Sequence, residues 1–520
     1  MPFSIAFVIL FAGVPLVAQD SRPASHPSTV REVAILHTND IHGTIRAMPD
    51  PRSREGTPKL VGGIQELCAA IDDERFKSPN NLLLDAGDWY QGTPEGTLSK
   101  GLCSVELMNA IGFDAAVLGN HDFDNGASNV DTLLGVARFP VFGVNIMVPP
   151  GASKPPYLER ITPGKLFITN GVKIFVDGIL TEEAPRLLNP GAMGGALVEA
   201  EITGAQRAVS RARQAGAEAL VLVNHVGKDR HLVIGRDVQG IDVLIGGHNH
   251  RDVMDEPVII PSTGTLIAQA APNAGALGVV TFGFDTVTRK VAWKKSRLRR
   301  VVGDPSLSIP RLKPIIDLHE KAVAENMDRR VAEAPVAILR SSDLRRPTPL
   351  GNLLTEQMLA VSEADIAVHN INGIRADLPA GTIRVRDLFM VSPFGNTVVT
   401  VKLPGKHIRA LVERHLANPS RGFVFRGITT VWRESDGRRE IVSIMHDGKD
   451  LDDERQYSVV TTDYLANAAD GASPFSAARE RRDLGMTLLD VSIRKCQEAG
   501  RLNIDLDAQW VEAPKKPTQP

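Results

Sequence analysis

The sequence predicts an α/β protein of more than one domain, and three observations carry that reading. Apolar runs of four or five residues alternate with helix-spaced segments, as in strand–helix units. Several of these runs stop at a turn rich in Asp, Asn or His, and in such folds ligands gather beyond the carboxyl ends of strands. At 520 residues the chain is too long for a single core, which suggests two or three domains.

Taken in order, the first segment, Ile5 to Ala18, is apolar and is followed by Gln19-Asp20 and a Ser/Pro-rich stretch. Interrupted by Gly13 and Pro15, it is too short for a membrane span, which needs roughly 20 residues. It reads as a signal peptide over residues 1–19, which predicts export to a periplasm or to the medium with no stable membrane span. An uncleaved anchor is the other reading, since no Lys or Arg precedes the apolar core.

Val33-Ala34-Ile35-Leu36 is the next strand, ending in His37-Thr38-Asn39-Asp40-Ile41-His42-Gly43. Val61 to Ala70 has helical spacing, and Asn81-Leu82-Leu83-Leu84 is a strand ending in Asp85-Ala86-Gly87-Asp88. After a helix around Cys103 to Ile111, Ala115-Ala116-Val117-Leu118 stops at Gly119, where the backbone can turn sharply, and delivers Asn120-His121-Asp122-Phe123-Asp124. Phe139 to Val144 and Lys173 to Gly178 read as strands, and Thr203 to Ala215 as a helix. Ala219 to Val223 leads into Asn224-His225, and Ile241 to Ile245 into Gly246-Gly247-His248-Asn249-His250.

Five strand-like runs therefore place Asp40 and His42, Asp88, Asn120 and His121, His225, and His248 with His250 at one edge of the sheet. Each alone has a dull explanation as a cap, a core histidine or a polar loop; five together do not. Carboxylate, imidazole and amide oxygen without thiolate describe a site for zinc, manganese, cobalt or iron. The candidates are too many for one four-coordinate ion. They fit two ions roughly 3.5–4 Å apart sharing a carboxylate, the arrangement used for phosphate ester cleavage.

Composition narrows the partners. Lys plus Arg number 59 against 61 Asp plus Glu, so no broad basic face argues for a nucleic acid polymer or an anionic membrane. Cys68, Cys103 and Cys496 form no CxxC, which excludes a thiolate zinc site and predicts buried free thiols, with one bridge left open. Nothing in the sequence fixes an oligomeric state.

The motifs Asp40-x-His42, Gly87-Asp88, Gly119-Asn120-His121-Asp122, His225 and Gly247-His248-x-His250 resemble those of calcineurin-like metallophosphoesterases. Ile35 to His42, Leu118 to Gly126 and a second domain narrow the resemblance to the 5′-nucleotidase family, over most of the chain. It implies a four-layer sandwich of two mixed sheets flanked by helices. It also implies one ion held by Asp40, His42, Asp88 and His250, and another by Asp88, Asn120, His225 and His248. His121 and Asp124 then resemble the catalytic dyad, acting on phosphate attacked by a metal-bridging hydroxide. Asp85 and Asp122 match no ligand and are expected to support or cap the site.

The resemblance divides the chain into a catalytic domain over 30–302, a linker helix over 303–330, a substrate-binding domain over 331–511 and a disordered tail over 512–520. The linker reads as helical on Leu312, Ile315, Ile316, Leu318 and Val323. In the second domain, Asn370 and Arg375 would bind ribose and phosphate, Phe394 and Tyr464 would sandwich the base, and Asp470 would hold the ribose hydroxyls. Arg346 corresponds to a further phosphate-side arginine. Asn372, Pro347 and Ala468-Ala469 depart from the family pattern.

The implied function is hydrolysis of the 5′-phosphate of small-molecule nucleotides. Alternatives on the same scaffold are a 2′,3′-cyclic phosphodiesterase/3′-nucleotidase and a UDP-sugar hydrolase; a thiosulfate-cleaving relative is disfavoured by the pair of aromatics. A catalytically silent nucleotide-binding surface protein is the reading from a different class.

Overall fold

The computed structural model describes residues 29–49, 60–188, 191–250, 253–340, 348–418, 422–435, 438–467, 474–503 and 510–513. The predicted signal segment, Arg346, Asp470 and the tail from Pro514 lie outside the described residues.

Two six-stranded mixed sheets form the first part of the chain. In one, Val30–Thr38 runs parallel to Asn81–Asp85, followed in parallel by Ala115–Val117 and Val141–Phe142. On its other side come Ala276–Asp285 and Lys290–Arg300, both antiparallel to their neighbours. In the other sheet, Leu266–Gln269, Val243–Gly246, Ala219–His225 and Val172–Leu180 are parallel. Antiparallel edge strands, Val258–Ile259 and Lys165–Thr169, close it on either side.

The period-2 alternation of side chains explains why these runs read as continuously apolar. Val33 and Ile35, Leu82 and Leu84, and Val280, Phe282 and Phe284 pack against Ile174, Val176, Val221, Val223, Val243 and Ile245 between the sheets. The intervening residues face outward. Leu36 and Leu83 meet the helices Ile64–Lys77 and Leu102–Ile111. Leu220, Leu222 and Leu244 meet Glu201–Gln214 and Lys228–Asp237. The result is the four-layer helix–sheet–sheet–helix sandwich.

Two expectations shift in detail. The run Val61 to Ala70 becomes a helix only from Ile64, because Gly62 and Gly63 both take positive φ just before it. The five strand ends do not share one sheet: Asp40, Asp88 and Asn120 follow strands of the first, His225 and His248 strands of the second. Cys68, Cys103 and Cys496 are buried free thiols.

The helix Lys313–Met327 carries Ile316 in the first core and Val323 and Met327 in another. Beyond it a five-stranded sheet has the order Phe423–Arg426, Ile366–Asn370, Gln456–Thr462, Thr397–Pro404, Arg479–Thr487. Ile366–Asn370 and Gln456–Thr462 are parallel, while Thr397–Pro404 runs antiparallel to the latter. The end of the first two strands and the start of the third therefore lie at one edge. That edge carries Asn370, Tyr464 and Phe394.

Phe282 is fully buried between the two large sheets. Phe282→Ala should destabilise the sandwich by about 3–5 kcal/mol, read from urea unfolding; a loss below about 1 kcal/mol would show that the intersheet core is not what holds the layers together.

Candidate active site

The carboxyl ends of the parallel strands in both sheets converge at one end of the sandwich. The loop after Val30–Thr38 runs alongside the loop after Asn81–Asp85 and extends their ladder. Asp40 N donates to Gly87 O (2.9 Å), His42 N to Asp88 O (3.0 Å) and Gly43 N to Trp89 O (2.8 Å). In this arrangement Asp40, His42 and Asp88 all adopt positive φ, as does His248. Such conformations cost of order 1–3 kcal/mol each in a non-glycine residue and cluster where surrounding structure enforces them. All four are metal-ligand candidates.

Asp88 is the hub. Its Oδ2 lies 3.2 Å from His225 Nε2 and 3.8 Å from His42 Nε2, and its Oδ1 accepts the His121 backbone N–H (2.8 Å). Gly119 lies outside the left-handed region, so it is not needed for a turn. A Cβ there would instead overlap Asp88 Oδ1 and its backbone N, so the glycine is required for close approach.

The buried Asp122 carboxylate accepts N–H groups from Asp88 (3.1 Å), Trp89 (2.9 Å) and Gly119 (2.7 Å). Asp85 accepts from Thr38 Oγ1 (2.6 Å) and Gly87 N (2.9 Å). These two aspartates fasten the loops that present Asp40, Asp88 and Asn120, a supporting role of the kind the motifs imply. Asn39 does similar work: its amide donates to Asp40 Oδ2 (2.7 Å) and accepts Ala270 N–H (2.9 Å). It is not among the candidates read from the sequence, although it directly precedes Asp40.

Donor atoms of Asp40, His42, Asp88 and His250 all lie within 4.8 Å of one another. Next to them, His248 Nδ1 is 2.9 Å from Asn120 Oδ1, and His248 N donates to both Asp40 oxygens (3.1 Å). His225 Nδ1 meets the Ala86 carbonyl (2.7 Å) and His42 Nδ1 the Gln91 carbonyl, so in each ring Nδ1 carries a proton and Nε2 is the nitrogen left to bind an ion.

The Nε2 atoms point into the cluster: His225 Nε2 faces Asp88, and His42 Nε2 faces His250 Nε2 at 2.8 Å. A proton on His225 satisfies the first approach and an N–H shared between the rings the second; a divalent ion would take the place of both. Burial pushes His42 well below its usual pKa, His248 to about 3 and His250 downward, so these three imidazoles are neutral, the form that binds metal. Burial also opposes a charge on His225, but the Asp88 carboxylate outweighs it and pushes that pKa up to about 10. With N and O donors only, the cluster suits divalent ions.

His121 opens a short 3₁₀ turn, and its Nδ1 meets Asp124 Oδ2 at 2.9 Å. Its ring centroid is 5.7 Å from that of His42 and 5.8 Å from that of Phe394, which comes from the second domain. Burial disfavours charge on His121, yet Asp124 and then Asp88 hold its pKa above the ordinary value. The Arg375 guanidinium lies 5.6 Å over the Phe394 ring and within the fields of Asp88, Asp40 and Asp124. Phe394, Arg375 and Tyr464 are all half-buried, and Tyr464 also packs against the apolar core of the second domain. Asn370 Oδ1 is buried without a hydrogen-bond partner.

Residues 33–252 match the calcineurin-like phosphoesterase family, and residues 330–479 the 5′-nucleotidase C-terminal domain. The chain is 28% identical to 5′-nucleotidase of Rattus norvegicus, over 85% of its own length and 83% of that protein. It is 27% identical to the trifunctional nucleotide phosphoesterase protein YfkN of Bacillus subtilis over 92% of its own length, but spans only about a third (35%) of that relative. A solved structure of a 5′-nucleotidase precursor from Thermus thermophilus matches with a TM-score of 0.83 at 26% identity, covering 94% of this chain and 100% of that one. The Thermus thermophilus sulfate thiohydrolase SoxB, in complex with glycerol, shares the fold at 18% identity (TM-score 0.76, 94% of this chain and 98% of that one). The calcineurin-like phosphoesterase family uses two divalent ions, and the donor cluster around Asp88 fits them. The chain belongs to the metal-dependent phosphoester hydrolases in which a calcineurin-like phosphoesterase domain is followed by a 5′-nucleotidase C-terminal domain.

Proposed function

We propose that the protein removes the 5′-phosphate of nucleotides. The observation that carries this reading is the position of Phe394 and Arg375, from the second domain, beside His121 at the mouth of the Asp88 cluster. A phosphate held at the cluster would leave its organic part against these side chains.

Two divalent ions, when bound, supply positive charge for the phosphate oxygens and acidify a water for attack. Asp40, His42, Asp88 and His250 would hold one; Asp88, Asn120, His225 and His248 the other, with Asp88 serving both. His121, its Nδ1 committed to Asp124, offers Nε2 to stabilise or protonate the leaving oxygen. Arg375 adds a charged donor on the phosphate side. Phe394 provides a stacking face, and Tyr464, at the same sheet edge, the opposing wall. Asn370 suits a ribose hydroxyl, which would satisfy its unpaired Oδ1. Arg346 and Asp470 join this set on the resemblance of their motifs alone.

The match to a trifunctional nucleotide phosphoesterase favours a broader reading, in which 2′,3′-cyclic nucleotides, 3′-nucleotides or UDP-sugars are also cleaved. A complete donor cluster with an intact His121–Asp124 pair speaks against a silent binding protein. The apolar segment at residues 1–19 supports export; among the described residues no helix is long and apolar enough to cross a membrane.

Ligand and catalyst separate by mutation. Asp88→Asn should lose both bound metal and activity. His121→Ala should keep its metal, measured by elemental analysis, while kcat on AMP falls by on the order of 10²–10⁴. Loss of metal from His121→Ala would make His121 a ligand and overturn the assignment.

The aromatic wall predicts selectivity for the base. AMP should exceed ribose 5-phosphate in kcat/KM by about tenfold to a few hundredfold, the factor that stacking energies of roughly 1–3 kcal/mol give. Phe394→Ala should shrink that ratio with its melting temperature unchanged. An unaltered ratio in the folded variant would remove Phe394 from the nucleoside site.

A further inference from the structure

Arg386 stands in the second domain, yet its strongest partner is in the first. Its Nη1 lies 2.5 Å from Glu95 Oε1, and its Nε lies 3.1 Å from Asp328 Oδ1 at the end of the Lys313–Met327 helix. Glu95 is only 3% exposed and Arg386 is half-buried, so this is a largely buried ion pair joining the two parts of the chain. Among the described residues, the other pairs that join the Lys313–Met327 helix to the first domain, such as Arg46–Glu320, are more exposed and carry no link to the second.

Both ends of the pair lead to the active site. Glu95 belongs to the helix Pro94–Leu98, which follows the loop Asp88–Thr93 directly. That loop supplies Asp88 and the Gln91 carbonyl that orients His42. Arg386 belongs to the helix Val385–Val391, whose first turn is tied to the Lys313–Met327 helix through Val385 N and Arg329 O (3.0 Å) and through Arg384 and the Asp328 carbonyl. At its other end the Val391 carbonyl accepts the Arg375 N–H (2.8 Å), and three residues later comes Phe394. One short helix thus has Arg386 clamped to Glu95 at its start and both Arg375 and Phe394 fastened near its finish.

We infer that the Arg386–Glu95 ion pair positions Arg375 and Phe394 over the phosphate site, and so sets the preference for nucleotides over smaller phosphate esters. The inference rests on the reading of Phe394 as part of the nucleoside site. Arg386 and Glu95 are positioning residues: neither is placed to touch substrate. The fork of Arg386 reaches Glu95 and Asp328 together, which a lysine ammonium does not reproduce.

Removing one partner leaves a charge buried and unpaired, which endangers folding. The informative variant is therefore Glu95→Gln combined with Arg386→Gln, which removes both charges and keeps hydrogen-bonding side chains. Melting temperature and metal content serve as controls, and kcat and KM are measured on AMP and on ribose 5-phosphate. The expected result is a raised KM for AMP, at least a fivefold fall in the AMP to ribose 5-phosphate ratio of kcat/KM, and a smaller loss on ribose 5-phosphate, which loses the Arg375 contact but has no base to lose from Phe394. Arg386→Lys should lie between this variant and the wild type.

Adding Phe394→Ala to the paired variant should then change the ratio less than twofold, because Phe394 is already displaced. A paired variant that keeps the wild-type ratio, or a full multiplicative loss on adding Phe394→Ala, overturns the positioning role while leaving the nucleotidase reading intact. A wild-type protein with no preference for AMP over ribose 5-phosphate overturns both.

Discussion

The site depends on burying one carboxylate, that of Asp88, where two loops and two sheets meet. An ionised group there is tolerable only if opposite charge and hydrogen bonds surround it. The structure supplies them from the imidazole of His225, whose charge Asp88 itself favours, and from the backbone N–H of His121, while a glycine at 119 lets the carboxylate approach the neighbouring chain. The positive φ angles of Asp40, His42, Asp88 and His248 follow from the same demand, since side chains aimed at one small volume cannot all keep relaxed backbones. The layer of fully buried apolar side chains between the sheets provides the rigidity that holds this strain.

From that hub the division of labour follows. The sandwich holds donors for phosphate chemistry, which by themselves do not distinguish one phosphate ester from another. The second domain contributes an arginine and an aromatic ring beside His121, and one edge of its sheet gathers Asn370, Phe394 and Tyr464. On the proposed reading, specificity is a matter of where the second domain sits. That makes the largely buried Arg386–Glu95 contact as relevant to substrate choice as any residue in the cleft.

Much of this was legible from the chain. Apolar runs that end in Asp, Asn or His marked the strand termini, and the donors of Asp40, His42, Asp88 and His250 do meet. Other features were hidden for identifiable reasons. The parallel strands of both sheets are buried on each face, so their sequences do not say which sheet they join; the resemblance, not the pattern, implied two. Gly119 looks like a turn glycine, because close approach to Asp88 is a tertiary fact. Asn39 was masked by its more conspicuous neighbour Asp40. Arg386 and Glu95 lie far apart in sequence with no motif around them, so only the packed domains bring them together.

The central claim is that hydrolysis runs on two divalent ions gathered by Asp88 and its neighbours. The direct measurement strips the protein with EDTA, restores Mn²⁺, Co²⁺ or Zn²⁺ in steps, and follows bound metal and AMP hydrolysis together. The expected result is no activity in the stripped protein, binding of two ions per chain, and full activity only as the second is bound. Full hydrolysis of AMP by protein shown to be metal-free would contradict it.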